Sequence, residues 1–167
     1  MWRKMETIAA RVKINVLTHW GRAICGGFLA FLVFNVLATY VVKYLGEPLD
    51  VALAMIVLDL DWTAADIVRF LVGSVVFPLV YLALFLPLVP LSGVLGGLVF
   101  GGLLWLFVGL AITPGAGVGW FYGGGETALL ALRTHLIYGL ILGVVVGQPV
   151  SRQAAADRRA LKGPLAP

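Results

Sequence analysis

Polar residues are so sparse between positions 23 and 150 that hydrophobicity comes in long blocks rather than in stripes. Four blocks stand out, at 23–42, 67–88, 91–112 and 128–150. Each holds about 20 residues, the length that carries an α-helix across a hydrocarbon core of about 30 Å. In lipid every backbone amide must be bonded within its own segment unless a barrel closes, and the blocks lack the alternating polar positions of a barrel strand. The pattern predicts an all-α fold, a polytopic membrane four-helix bundle.

Two flanking stretches are patterned differently. Over the first twenty residues Trp2, Met5, Ile8, Val12, Val16 and Trp20 recur at three- and four-residue steps, with Arg3, Lys4, Thr7, Arg11, Asn15 and Thr18 opposite them. This predicts an N-terminal amphipathic helix that lies in the membrane interface, or docks a partner subunit through the same stripe. Between the first two blocks, Pro48 and Asp50 open the apolar piece VALAMIVL. It is too short to cross, so a short outer-interface helix is expected at 50–58. The expected divisions are an interfacial helix at 1–21, a four-span domain at 22–150 and a basic cytoplasmic tail at 151–167. The first block exceeds the usual leader core and follows twenty-two residues, so it is expected to stay as a span.

Local signals refine the span ends. Thr63 is expected to cap the second span, with Asp66 complementing its positive end and standing three residues from Arg69, close enough to pair. Only residues 87–90 separate the second and third blocks, which makes these spans an antiparallel hairpin. Pro78 falls in the middle of the second block, where it should bend the helix and free a carbonyl for a neighbour to satisfy.

Composition agrees: 61% of residues are hydrophobic and 12% charged, the latter about half the share of a soluble domain. Arg3, Lys4, Arg11, Lys13 and Arg22 precede the first block, and Arg152, Arg158, Arg159 and Lys162 follow the last. The connection after the first block has Lys43 and Arg69 at its edges, set against Glu47, Asp50, Asp59, Asp61 and Asp66. The positive-inside rule therefore puts both termini on the cytoplasmic side of the cytoplasmic membrane, with the acidic connection and the 114–125 loop outside. The net charge of +4 suits a surface facing anionic lipid, and no recognition module suggests nucleic acid as a partner. The single Cys25 excludes an intramolecular disulfide and reads as a small packing residue.

Glycines supply a second pattern. Gly93, Gly97, Gly101 and Gly109 line one ridge of the third block, with Trp105 at the missing step, and Gly139, Gly143 and Gly147 line the fourth block. Lipid provides no hydrophobic drive between helices, so close backbone approach over small residues is what holds them. The two ridges are expected to pack against each other, or one of them to receive a partner's helix.

Polar side chains in the outer third of the spans form the candidate cluster: Asp66, Arg69, Glu126, Arg133 and His135. A charge at that depth must face the bundle or reach water, which makes it the default place to look for function. The structural reading has Arg133 paired with Asp66 or Glu126 or snorkelling outward, and His135 as a neutral ring over Gly139. A haem held by two histidines would need a second histidine at similar depth, and His19 sits at the opposite edge. A metal held by His135, Glu126, Asp59 and Asp61 would lack any recurrent ligand spacing. Transport would want a midplane ionisable group, a broken helix or an internal repeat, for which Asn35 and Pro78 are the candidates. No catalytic motif is present, so no catalytic residue, metal ligand or cofactor is assigned.

The Pro48 to Asp50 turn, the G-x-x-x-x-P-L-x-Y stretch from Gly73 to Tyr81, the Gly97/Gly101/Trp105 ridge, Pro114 and His135-x-x-Tyr138-Gly139 together resemble a family of small four-helix integral membrane proteins of bacteria and archaea without assigned function. The resemblance covers about residues 20 to 150. Relatives of this kind often carry a histidine at the start of span two, where this chain has Ile67, Val68 and Arg69. It implies a fold and a membrane location. The functional expectation is a non-catalytic accessory or assembly subunit packing against partner helices of a larger, respiratory-type membrane complex, or forming a homo-oligomer. The alternative is a small transporter or permeability-modulating protein with the cluster around Arg133 and His135 as its mouth.

Overall fold

The computed structural model describes residues 17–37, 61–89 and 91–150, together with 152 and 156. Four helices are long and apolar enough to cross a membrane: α1, Leu17–Leu37; α2, Thr63–Leu88; α3, Gly93–Gly115; and α4, Gly125–Val150. The protein is an all-α four-helix bundle of the multi-pass membrane type. The expected outer-interface helix at 50–58 lies outside the described residues, as do most of 1–21 and most of the tail. α1 runs unbroken through Gly21, so residues 17–21 share one helix with the first span.

The cap of α2 differs from expectation. Asp61, not Thr63, occupies the cap position, with extended backbone (φ −68°, ψ 167°) and a carboxylate that accepts from the Ala64 N–H at 2.8 Å. A capping side chain must sit just outside the first helical residue, and Thr63 already lies inside α2.

Four prolines shape the spans by one device. The turns Val72–Val76, Tyr81–Phe85, Val108–Ile112 and Gly143–Gly147 are widened to i→i+5 hydrogen bonding, and each ends two residues before a proline: Pro78, Pro87, Pro114 and Pro149. Proline has no N–H, and its ring would collide with the carbonyl four residues back. Widening absorbs the collision, since the residue before each proline (Phe77, Leu86, Thr113, Gln148) donates six-from-proline, to Val72, Tyr81, Val108 and Gly143. The carbonyl five residues before the proline then loses its usual donor. At Gly73 the hydroxyl of Tyr138 donates to it from α4, and at Gly109 the hydroxyl of Thr113 does so at 3.0 Å.

The helices meet over glycine. α3 and α4 form the largest contact in the bundle, along Gly93, Gly97 and Gly101 on one side and Gly139, Gly143 and Gly147 on the other. A Cβ added at Gly97 would come 2.7 Å from Gly143 Cα, and one at Gly139 would come 2.9 Å from Gly101 Cα. α1 closes the bundle, with Gly27 seated against Pro78 and the Ser74 carbonyl of α2, and Gly26 against Val145 and Val146 of α4. Tyr81, Leu82, Leu142 and Val146 are fully buried at the centre, and the Tyr81 ring packs on Phe85 and Phe100 at 5.5 and 5.0 Å. No more than about a third of each helix is fully buried, as suits a protein whose solvent is lipid.

Candidate functional site

Two arginines enter the bundle from the same end and are treated differently. Arg69 lies six residues past Thr63, at the start of α2, and Arg133 eight past Gly125, at the start of α4. Arg69 reaches back one turn to Asp66, with Nη2 at 2.7 Å and Nε at 3.1 Å from the same carboxylate oxygen. Its guanidinium also lies over the Phe31 ring, 5.0 Å from the centroid. Thus α1 and α2 hold it at 17% side-chain exposure while Asp66 stays at 52%. Arg133 is exposed, and none of the described residues pairs with it.

The expected pairing of Arg133 with Asp66 or Glu126 is therefore corrected. Asp66 is taken by Arg69 on its own helix, three residues away, the spacing that places side chains side by side. Glu126 is exposed in the first turn of α4, two turns before Arg133. Exposed positions Leu129, Arg133, Leu140 and Val144 lie opposite the positions that touch α1, α2 and α3. Arg133 is on the outward face of the bundle, not in a polar cluster with His135.

His135 faces the other way. Its Nδ1 lies 2.7 Å from the Ala131 carbonyl, one turn back, and its ring meets Phe34 of α1 edge-on at 5.8 Å. With Nδ1 as donor, the ring is held to its own helix. The Gly101 contact is made by the His135 backbone carbonyl, so the glycine ridge passes beneath the peptide rather than the imidazole. The main chain of His135 thus belongs to the ridge and its side chain to the α1 contact. His19 lies fifteen residues before Phe34, about 22 Å along α1 at 1.5 Å per residue, too far to share a ligand with His135.

Of the candidate metal ligands, Asp59 is outside the described residues and Asp61 is engaged as the α2 cap. No group of three or more His, Cys, Asp or Glu side chains able to hold a metal occurs among the described residues. Asn35, the candidate midplane group of α1, donates from Nδ2 to the Phe31 carbonyl of its own helix at 2.9 Å.

Buried hydroxyls carry polar contacts that the charged residues do not, among them Thr134, whose Oγ1 donates to the Ala131 carbonyl at 2.8 Å. Tyr138 links α4 to α2 at Gly73, Tyr81 donates to the Gly93 carbonyl of α3 at 3.3 Å, and Thr113 bonds within α3. Ser74, 2% exposed and inside the widened turn before Pro78, has a hydroxyl with no hydrogen-bond partner among the described residues. The sequence signal for the tyrosines is their place beside small or ring residues, Tyr81 three after Pro78 in the Gly73 to Tyr81 stretch and Tyr138 next to Gly139.

The α3–α4 loop is a fixed cap at the same end as the arginines. Gly117, Gly119, Gly123, Gly124 and Gly125 have positive φ, and so do Phe121 (48°) and Tyr122 (61°), a conformation that costs non-glycine residues energy. Packing offsets it. The Phe121 ring covers Gly109 and lies 4.7 Å from Trp105, whose indole N–H donates to the Ala128 carbonyl at 3.1 Å. Tyr122 is buried, and Trp120 beside it is 64% exposed.

No protein-family model matches this chain, and no curated protein or solved structure is significantly similar to it.

Proposed function

We propose that the protein is a non-catalytic packing component of a larger membrane assembly. The observation behind this reading is the filled interior. Aromatic and aliphatic side chains occupy the centre, the buried tyrosine and threonine hydroxyls bond to backbone, and the described charged groups lie toward the surface. Such a body offers partners its outer faces rather than an internal passage. The glycine ridges are consumed between α3 and α4, so the partner-facing surface is the outward side of α3, where Leu95, Val99, Leu103 and Phe107 are exposed. Gly102 borders that face, and a Cβ added there meets nothing within 4 Å. Both termini face the cytoplasm in this reading, and kinship with the small four-helix family belongs to the same proposal.

Mild-detergent purification of tagged protein from its native membrane tests it, with mass spectrometry of what co-elutes. Stoichiometric recovery with partner chains, lost in Gly102→Leu while the bundle stays folded, is the expected result. Recovery alone, as a monomer of defined size, would overturn it. Single cysteines at Gly117 and Ala156 in a Cys25→Ser background should label from outside and inside respectively, and the reverse pattern would invert the topology.

Ser74 favours one second reading. A buried hydroxyl without a partner among the described residues, inside a proline-widened turn, is the kind of polar group a transporter places in a broken helix. Flux across vesicles that Ser74→Ala abolishes without unfolding the protein would move the function to this site.

A further inference from the structure

We propose that Arg133 binds the phosphodiester of a phospholipid, in the leaflet on the side of the α3–α4 loop, and holds that lipid against the outward face of α4. Arg133 is exposed, unpaired among the described residues and flanked along its face by Leu129, Leu140 and Val144. A bare guanidinium in hydrocarbon is costly, so an anion or water must meet it, and none of the described side chains supplies that anion. The comparison with Arg69 is direct. At nearly the same depth that arginine is neutralised by Asp66 and covered by Phe31, whereas α4 carries apolar Leu129 and Leu130 where a carboxylate would be needed.

Depth selects the lipid over a carboxylate on a partner's span. α4 has 26 residues, so it is about 39 Å long, and a core of about 30 Å leaves roughly 4–5 Å protruding at each end. The Cα of Arg133, about 12 Å from the helix start, then lies roughly 7–8 Å below the hydrocarbon boundary. Helical Cβ atoms tilt toward the N-terminus, which for α4 is the loop side. Arg69 shows how far such a side chain comes back, about one turn, to Asp66. The same reach brings the Arg133 guanidinium to within a few ångströms of the boundary, where phosphates begin. Exposed Trp120, in the loop just before α4, is the type of residue that sits at that level. Arginine meets a phosphodiester through two parallel N–H donors, and the apolar stripe below it lies along the acyl chains.

The test is phosphorus and lipid mass analysis of protein washed extensively in mild detergent, comparing wild type, Arg133→Ala and Arg133→Gln, with Arg22→Gln as a charge control. About one phospholipid per chain should survive washing in wild type and in Arg22→Gln, and be lost in both Arg133 variants. Arg133→Gln keeps most of the stem, so it reports the charge should the alanine variant fold poorly. Equal lipid retention in wild type and Arg133→Gln would overturn the proposal. So would a co-purifying membrane protein displaced by Arg133→Gln with no change in bound lipid, which would identify the occupant as a partner helix. These readouts concern bound lipid on α4, so they can fail while the α3 partner reading stands, and the reverse.

Discussion

The hydroxyl of Tyr138 on α4 donates to the carbonyl of Gly73 on α2, and that carbonyl lacks its helical donor because Pro78 lies five residues on. A helix defect and the interhelical bond that repairs it are therefore one feature. Removing the hydroxyl with Tyr138→Phe leaves a buried carbonyl unsatisfied, at a cost of about 1 kcal/mol. Unfolding in mixed micelles should show that loss. In a Pro78→Ala background, where the donor N–H returns, most of it should vanish. Additive effects of the two substitutions would mean the bond does not depend on the proline.

The glycines of α3 separate by face. Gly97→Ala places its Cβ against the Gly139 carbonyl and Gly143, so the helices must part, and a stability loss of about 2 kcal/mol or more is expected from lost packing. Gly102→Ala meets open space and should be neutral or slightly stabilising through helix propensity. Thermal stability of the two variants in the same detergent decides, and equal losses would refute the observed register.

The Asp66–Arg69 pair predicts which compensation works. Asp66→Arg should destabilise by roughly 1 kcal/mol, within the range of partly exposed pairs. Adding Arg69→Asp should recover part of it, while adding Arg133→Asp should not. Recovery through Arg133 would show that the two helices share the charge after all.

The loop cap can be tested by thiol access. Tyr122 is buried beneath a loop held by Phe121 over Gly109. Tyr122→Cys, in a Cys25→Ser background, should label slowly. Gly109→Leu, which removes the seat of the Phe121 ring, should speed that labelling about tenfold or more, as expected for losing on the order of 1.4 kcal/mol of closure.

The spans were legible in the sequence because lipid imposes a length and an apolar content that few other constraints mimic. The step of four in the two glycine runs likewise showed which residues allow close approach. Side-chain partners were not legible. Whether Arg133 reaches Asp66 depends on which way α4 faces, and Arg69, three residues from Asp66, won by local spacing. The role of His135 was split between main chain and ring, which a residue name cannot show. Asp61 is hidden as a cap because Thr63 stands nearer the apolar block. The widened turns had a sequence signal after all, a proline at a fixed distance, which reads as a kink until the hydrogen bonds are traced.

Pro149 has an effect some distance from its ring. Residues four apart on an α-helix of 3.6 per turn drift steadily around the axis, so a glycine at every fourth position should spiral away from a straight neighbour. In a turn closed five residues apart the same step falls short and drifts back. The turn before Pro149 covers Gly143–Gly147, so the second step of the ridge cancels the rotation of the first. The result is measurable: a Cβ at Gly139, Gly143 or Gly147 would lie 2.9, 3.0 and 2.9 Å from the Cα of the opposing glycine on α3. The proline at the end of α4 acts as a phase corrector, keeping three glycines in line so that two helices can lie flush over more than two turns.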